Sequence, residues 1–270
     1  MEALRAIDGW GARTAAAGVL RAGADPVVHG PRDHVFRWAS VTKLLTGLGV
    51  LVAVEEGTVD LDEPAGPPGS TLRHLLSHAS GLPPDGDTPI AEPGRRRIYS
   101  NSGIEAAAAL VAARAAMPFS EYARRAVVEP LGLSAPFAGS PAWGYRGTLD
   151  DLLAFAGELL APSLVAPETL AEAVGVQFPG LVGVLPSWGR MEPNDWGLAF
   201  ELRDGKQPHW TGSRVSPHTF GHFGAAGTFL WVDPDAGLAC AVLTDREFGD
   251  WAKEAWPAFS DAVLAEALAS

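Results

Sequence analysis

Ser40-Val41-Thr42-Lys43 runs straight into Leu44-Leu45-Thr46-Gly47-Leu48-Gly49-Val50-Leu51-Val52-Ala53-Val54, setting a hydroxyl and an amine one helical turn apart beside an apolar segment. The chain holds 17 arginines but only three lysines, Lys43, Lys206 and Lys253, and Lys43 is the one followed by eleven uncharged residues. Arginine keeps its proton at any relevant pH, whereas a desolvated lysine can lose it. The pattern therefore reads Lys43 as a proton acceptor for Ser40. A serine in the first turn of a helix also sits among outward-facing N–H groups at the positive end of the dipole, a setting that favours a developing anion and so serves acyl transfer. Taken alone, S-x-x-K is better read as a helix cap beside a snorkelling lysine. The chemical reading needs companions elsewhere in the chain.

At 270 residues and 47% hydrophobic, the chain is long enough for one large core or two lobes sharing a cleft. The formal net charge of -12 opposes a polyanionic partner, and Arg95-Arg96-Arg97 is too short a basic cluster to offset it, so nucleic acid is discounted. The single cysteine, Cys240, lies in the apolar stretch Leu238 to Leu243, where it reads as a small buried hydrophobe with no intrachain partner. The amino terminus, Met1 to Asp8, carries acids early and lacks the continuous apolar segment of a secretory signal. The eleven-residue apolar run falls well short of the ~20 residues needed to cross a bilayer. The expectation is a soluble, cytoplasmic protein that does not engage a membrane.

No internal repeat or low-complexity tract divides the chain, so its organisation rests on changes of pattern. Ala16 to Leu20 and Pro26 to His29 read as two short strands around a Gly/Asp turn. Helical spacing covers Ser40 to about Glu56, Leu72 to His78 with Ser70 or Thr71 as its cap, Ile104 to Ala116, Ser120 to Val128 and Leu149 to Leu160. Beyond Trp196 the character changes: Leu198 to Leu202, Gly221 to Phe223, Thr228 to Val232 and Leu238 to Leu243 read as strands, followed by a helix over Trp251 to Leu268. Residues 1–39 and 195–270 are thus expected to build a discontinuous sheet lobe, and residues 40–194 a mostly helical one, with the site between them. Ser40 falls at that boundary.

The companions occur in order. Tyr99-Ser100-Asn101 precedes a helix, and His222-Phe223-Gly224-Ala225-Ala226-Gly227-Thr228 lies among the strands. With Ser40-Val41-Thr42-Lys43, these resemble the three active-site motifs of the serine β-lactamase and penicillin-binding-protein superfamily, in its class C-like esterase and D-aminopeptidase branch. The segments Leu61 to Pro64, Leu72 to Pro83, Pro118 to Tyr122 and Glu129 to Leu133 look like that family too, so the resemblance runs from about Val35 through Leu243.

The resemblance implies an α/β (α+β) fold in which an antiparallel sheet, flanked by terminal helices, meets a mostly helical lobe. By the same resemblance Ser40 is the acylated nucleophile, Lys43 its proton acceptor, and Tyr99 the phenol that shuttles protons to the leaving group and activates water. Asn101 orients Lys43 and substrate, and the backbone N–H groups of Ser40 and Ala225 form the oxyanion hole. A phenol is a poor base at its ordinary pKa, so a Lys43 cation is expected to favour the Tyr99 phenolate as one coupled pair. His222 and Gly224 stand at substrate-binding positions where relatives carry lysine, then threonine or serine, then glycine. A mostly neutral histidine and a Phe223 without a hydroxyl imply weak recognition of a substrate carboxylate. Trp38 is a candidate wall of the site, as are Trp143, Trp188 and Trp196.

His74 and His78 stand at the i, i+4 spacing of a metal pair, but without a glutamate or a third ligand nearby they read as packing or capping residues. The expected protein is a serine hydrolase that cleaves a small-molecule carboxylic ester or related amide through an acyl-enzyme, with no metal or organic cofactor. The alternatives are a D-aminopeptidase or β-lactam-hydrolysing enzyme on the same residues, and an idle binding protein on the same fold. The last is motivated by the short intervals from Ser40 to Tyr99 and from Tyr99 to His222.

Overall fold

The computed structural model describes residues 1–269. A 3-10 turn, Ala3–Gly9, precedes β1 (Ala15–Arg21) and β2 (Val27–His29). Then come β3 (Phe36–Arg37), a 3-10 turn Ala39–Val41, and the helices α1 (Thr42–Glu55), α2 (Leu72–Leu76), α3 (Asn101–Ala115) and α4 (Phe119–Ala123), the last continuing into a π-turn, Arg124–Val128. β4 (Arg146–Gly147), α5 (Leu149–Leu160), α6 (Pro167–Ala173), β5 (Gly183–Leu185) and β6 (Gly189–Met191) follow. The chain closes with β7 (Glu201–Leu202), β8 (Phe220–Gly224), β9 (Thr228–Asp233), β10 (Leu238–Thr244) and α7 (Asp250–Ala269). No helix among the described residues is long and apolar enough to cross a membrane.

Six strands form one antiparallel sheet in the order β2-β1-β10-β9-β8-β7. β1 pairs with β10 from Ala15↔Thr244 to Arg21↔Leu238, so the first hairpin and the last strands share a sheet although the helices lie between them in sequence. Alternation along the strands gives each face its own core. Ala239, Ala241 and Leu243 of β10 join Leu230 and Val232 of β9 against α1, α3 and α5. Their alternates Leu238, Cys240 and Val242, with Phe229 and Trp231, pack under Trp256, Phe259 and Val263 of α7. The sheet is therefore covered on both faces, which is why β8, β9 and β10 are buried at every position. α1 is buried from Thr42 through Ala53, as its apolar composition all round requires.

The first hairpin, α1, α5, β8 to β10 and α7 lie where the spacing predicts them. Leu198 to Leu202 does not form a full strand. Ala199 takes φ +66°, and the N–H groups of Leu198 and Ala199 go to the carbonyls of Ala173 and Leu76. The segment thus bonds to the helical layer, and only Glu201–Leu202 pairs with β8. The single helix expected over Ser120 to Val128 is instead α4 and a π-turn.

Candidate active site

Ser40 sits in the 3-10 turn that leads into α1, held against the end of β8. The carbonyl of Trp38 accepts from the Thr228 hydroxyl at 2.9 Å and from the Val41 N–H at 3.2 Å. Between them Ala39 takes φ +48°, a left-handed conformation that costs a non-glycine residue roughly 1–3 kcal/mol and persists only where the surroundings enforce it. Gly224 supplies the close approach. A Cβ there would lie 2.5 Å from the Trp38 oxygen and 2.6 Å from the Thr228 hydroxyl, so no larger residue lets β8 reach the turn that carries Ser40.

Lys43 is fully buried. Its Nζ lies 2.7 Å from Asn101 Oδ1, 2.9 Å from the Ala142 carbonyl and 3.3 Å from Ser40 Oγ. Two of these partners can only accept, and they take two N–H bonds. In the neutral amine the remaining position is a lone pair, and it faces the Ser40 hydroxyl. Asn101 is fixed in this orientation because its Nδ2 donates to Asp85 Oδ1 at 3.0 Å, leaving Oδ1 for Lys43. On the other side of Ser40, the Tyr99 hydroxyl donates to Oγ at 2.8 Å.

Burial dominates the electrostatics. It pulls Lys43 down to about 7 against the opposing charges of Glu105 and Asp85, so the neutral amine is accessible near neutral pH. Burial pushes Tyr99 well above the ordinary phenol range, outweighing the hydrogen bond to Ser40. The expected phenolate is therefore not the resting state. The desolvation that strips the proton from Lys43 retains it on Tyr99.

Ser40, Tyr99, Asn101, His222 and Ala225 line one cavity of about 240 Å³, with Trp196 among its aromatic walls. Ala225 is held by its carbonyl, which accepts from the Phe248 N–H at 2.9 Å. His222 is buried, with Nδ1 2.7 Å from the Phe223 carbonyl. Desolvation first, then the nearby Lys43, depress it to about 3, so it is neutral. Trp38 does not wall the site. It is fully buried against Tyr145 and Phe155. Trp143 is exposed.

His74 and His78 do not share a ligand position, because α2 ends at Leu76. His74 Nδ1 meets the Thr71 hydroxyl at 2.9 Å in a capping box. His78 takes φ +58° and accepts the Ser100 N–H on Nδ1 at 3.1 Å, its ring packed on Tyr99 and Trp196. It thereby seats the Tyr99-Ser100-Asn101 segment. Asp85 and the Ala142 carbonyl are site groups that the sequence reading missed.

The family model described as Beta-lactamase matches residues 6–263. The chain belongs to the β-lactamase family. Within this family of serine hydrolases, the crystal structure of a β-lactamase from Mycobacterium bovis superposes with a TM-score of 0.96 at 52% identity, covering 98% of this chain and 99% of that one. EstCE1, described as a hydrolase with promiscuous acyltransferase activity, shares the fold at a TM-score of 0.76 and 19% identity, with 96% of each chain covered. Penicillin-binding protein 4* of Bacillus subtilis is 25% identical over 135 residues, which cover 38% of this chain and 30% of that protein. The chain thus spans about a third of the length of that curated relative.

Proposed function

We propose that this β-lactamase-family protein hydrolyses an uncharged carboxylic ester, or a related amide, through an acyl-enzyme on Ser40. The observation that carries the reading is the hydrogen-bond count at Lys43: two obligate acceptors at 2.7 and 2.9 Å leave its lone pair for the Ser40 hydroxyl at 3.3 Å. As Oγ attacks the carbonyl carbon, Lys43 takes the hydroxyl proton, and the backbone N–H groups of Ser40 and Ala225 receive the oxyanion. Tyr99, protonated at rest, gives its proton to the departing alcohol or amine and is reprotonated from the Lys43 ammonium. Lys43, neutral again, draws a proton from the water that attacks the acyl-enzyme and passes it to Ser40 Oγ as the intermediate collapses, which releases the acid and restores both groups. Asn101 holds Lys43 in register throughout.

The cavity favours an ester over a β-lactam or a D-alanyl amide carrying a carboxylate, because His222 is neutral and Phe223 offers no hydroxyl. A second reading, β-lactam hydrolysis, draws support from the description of the Mycobacterium bovis relative as a β-lactamase. Turnover of short p-nitrophenyl esters, nitrocefin and D-alanyl amides by wild type and Ser40→Ala separates them. Ester turnover that exceeds the others and vanishes in Ser40→Ala is expected, whereas nitrocefin turnover above ester turnover contradicts the first reading.

A further inference from the structure

His222 borders the cavity with half of its hydrogen-bonding capacity unused. Its Nδ1 lies 2.7 Å from the Phe223 carbonyl. A carbonyl only accepts, so Nδ1 carries the ring proton and Nε2, toward the other edge of the ring, is a bare acceptor. No described residue bonds that Nε2, although it is buried. Buried polar atoms almost always find partners, and one that lines a ligand-sized cavity is completed by what enters it. The ring is confined by Tyr99 at 5.8 Å and by Trp196, edge-on, at 5.6 Å.

The neighbouring histidine makes the polarity clear. His78 packs on the same two aromatic rings and its Nε2 is likewise buried without a partner, yet its Nδ1 accepts from the Ser100 N–H, so that Nε2 carries the proton and is a donor. His78 does not line the cavity, and His222 does. His222 thus brings a lone pair, its own atom covered, to a stretch of the cavity wall that also holds the apolar side chains of Leu185, Phe223 and Phe248. A carboxylate placed there gains neither a cation nor a donor from His222, while an N–H or O–H gains an acceptor.

Given the acyl-enzyme reading above, on which this rests, we infer that His222 Nε2 sets the specificity of the site. It accepts a hydrogen bond from an N–H or O–H on an uncharged acyl donor and turns away substrates that place a carboxylate there.

The test compares kcat/KM, corrected for each ester's hydroxide-catalysed rate, across two matched pairs. One carries the donor on the acyl side (p-nitrophenyl esters of N-acetylglycine and N-acetylsarcosine). The other carries it on the alcohol side (the butyrate ester of N-acetylethanolamine and its N-methyl analogue). Mono-p-nitrophenyl succinate supplies the carboxylate. Wild type is expected to prefer the N–H member of at least one pair by about two- to tenfold, the worth of one neutral hydrogen bond, and to disfavour the succinate. His222→Phe removes that preference, and His222→Lys raises the succinate relative to the neutral esters at least about tenfold.

Equal rates within both pairs for wild type overturn the inference, as does a preference that survives in a folded His222→Phe. The wild-type comparison decides even if that variant fails to fold. Fluorophosphonate labelling separates the two readings. A wild-type protein without a Ser40 adduct defeats the acyl-enzyme mechanism, whereas an adduct without N–H preference defeats only the role of His222.

Discussion

Lys43 and Tyr99 flank one hydroxyl, and burial drives their protons in opposite directions. Because Lys43 is depressed to about 7 and must be neutral to accept the Ser40 proton, acylation is predicted to rise with pH through an apparent pKa near that value. His222, depressed to about 3, contributes no limb there. Lys43→Arg keeps the charge at every working pH and is predicted to lower kcat/KM by about 10²- to 10⁴-fold, as expected for a lost positioned base. Tyr99→Phe is predicted to lower the rate while leaving the ascending limb in place. A limb that disappears in Tyr99→Phe, measured in full pH–rate profiles, would instead assign it to the phenol. Ser40, Lys43, Tyr99 and Asn101 were legible because each lies in a short run of sequence. Asp85 and the Ala142 carbonyl were not, since an amide oriented from a loop and a backbone acceptor leave no side-chain signature. The phenolate expectation failed because charge proximity can be guessed from sequence, whereas the degree of desolvation cannot.

At the level of elements, the site is made where β8 presses on the turn before α1. Gly224→Ala is predicted to destabilise the fold by about 1–3 kcal/mol, the usual cost of overpacking, because its Cβ would meet the Trp38 oxygen at 2.5 Å. It should also lower the acylation rate of the folded fraction by shifting Ser40. Denaturant unfolding and labelling kinetics on the same samples check both, and a fully stable, fully active variant contradicts the packing account. Elements with strong local periodicity, such as α5 (Leu149–Leu160), were legible to the residue. The Leu198 to Leu202 strand was not, because its apolar residues bond through backbone to α2 and α6 instead of to a sheet neighbour. The short β5–β6 hairpin carries too few residues for a period of two to register. Lys206, the other buried lysine, stayed hidden in a polar stretch. Its Nζ bonds Glu201, in a network that also includes His209.

Across the whole molecule, the sheet separates a core shared with the helices from one shared with α7, and the site lies toward its β8 end. Phe259 of α7 packs against Trp10 and Phe229 and does not line the cavity. Phe259→Ala is therefore predicted to cost about 3–5 kcal/mol of stability with little change in the labelling rate of folded protein, measured well below the unfolding transition. Arg97, read from sequence as part of a basic cluster, is an internal tie instead. Its guanidinium donates to the carbonyls of Ser77, Gln177, Phe178 and Asn194, joining the segments that carry His78, Tyr99 and Trp196. That role was illegible because all four partners are backbone oxygens remote in sequence. The account as a whole is tested most directly by intact-protein mass spectrometry after reaction with a fluorophosphonate between pH 5.5 and 9. One stable adduct is predicted, located on Ser40, absent from Ser40→Ala, strongly slowed in Lys43→Arg, and forming faster as pH rises through about 7. An unmodified protein, or an adduct that persists in Ser40→Ala, would contradict it.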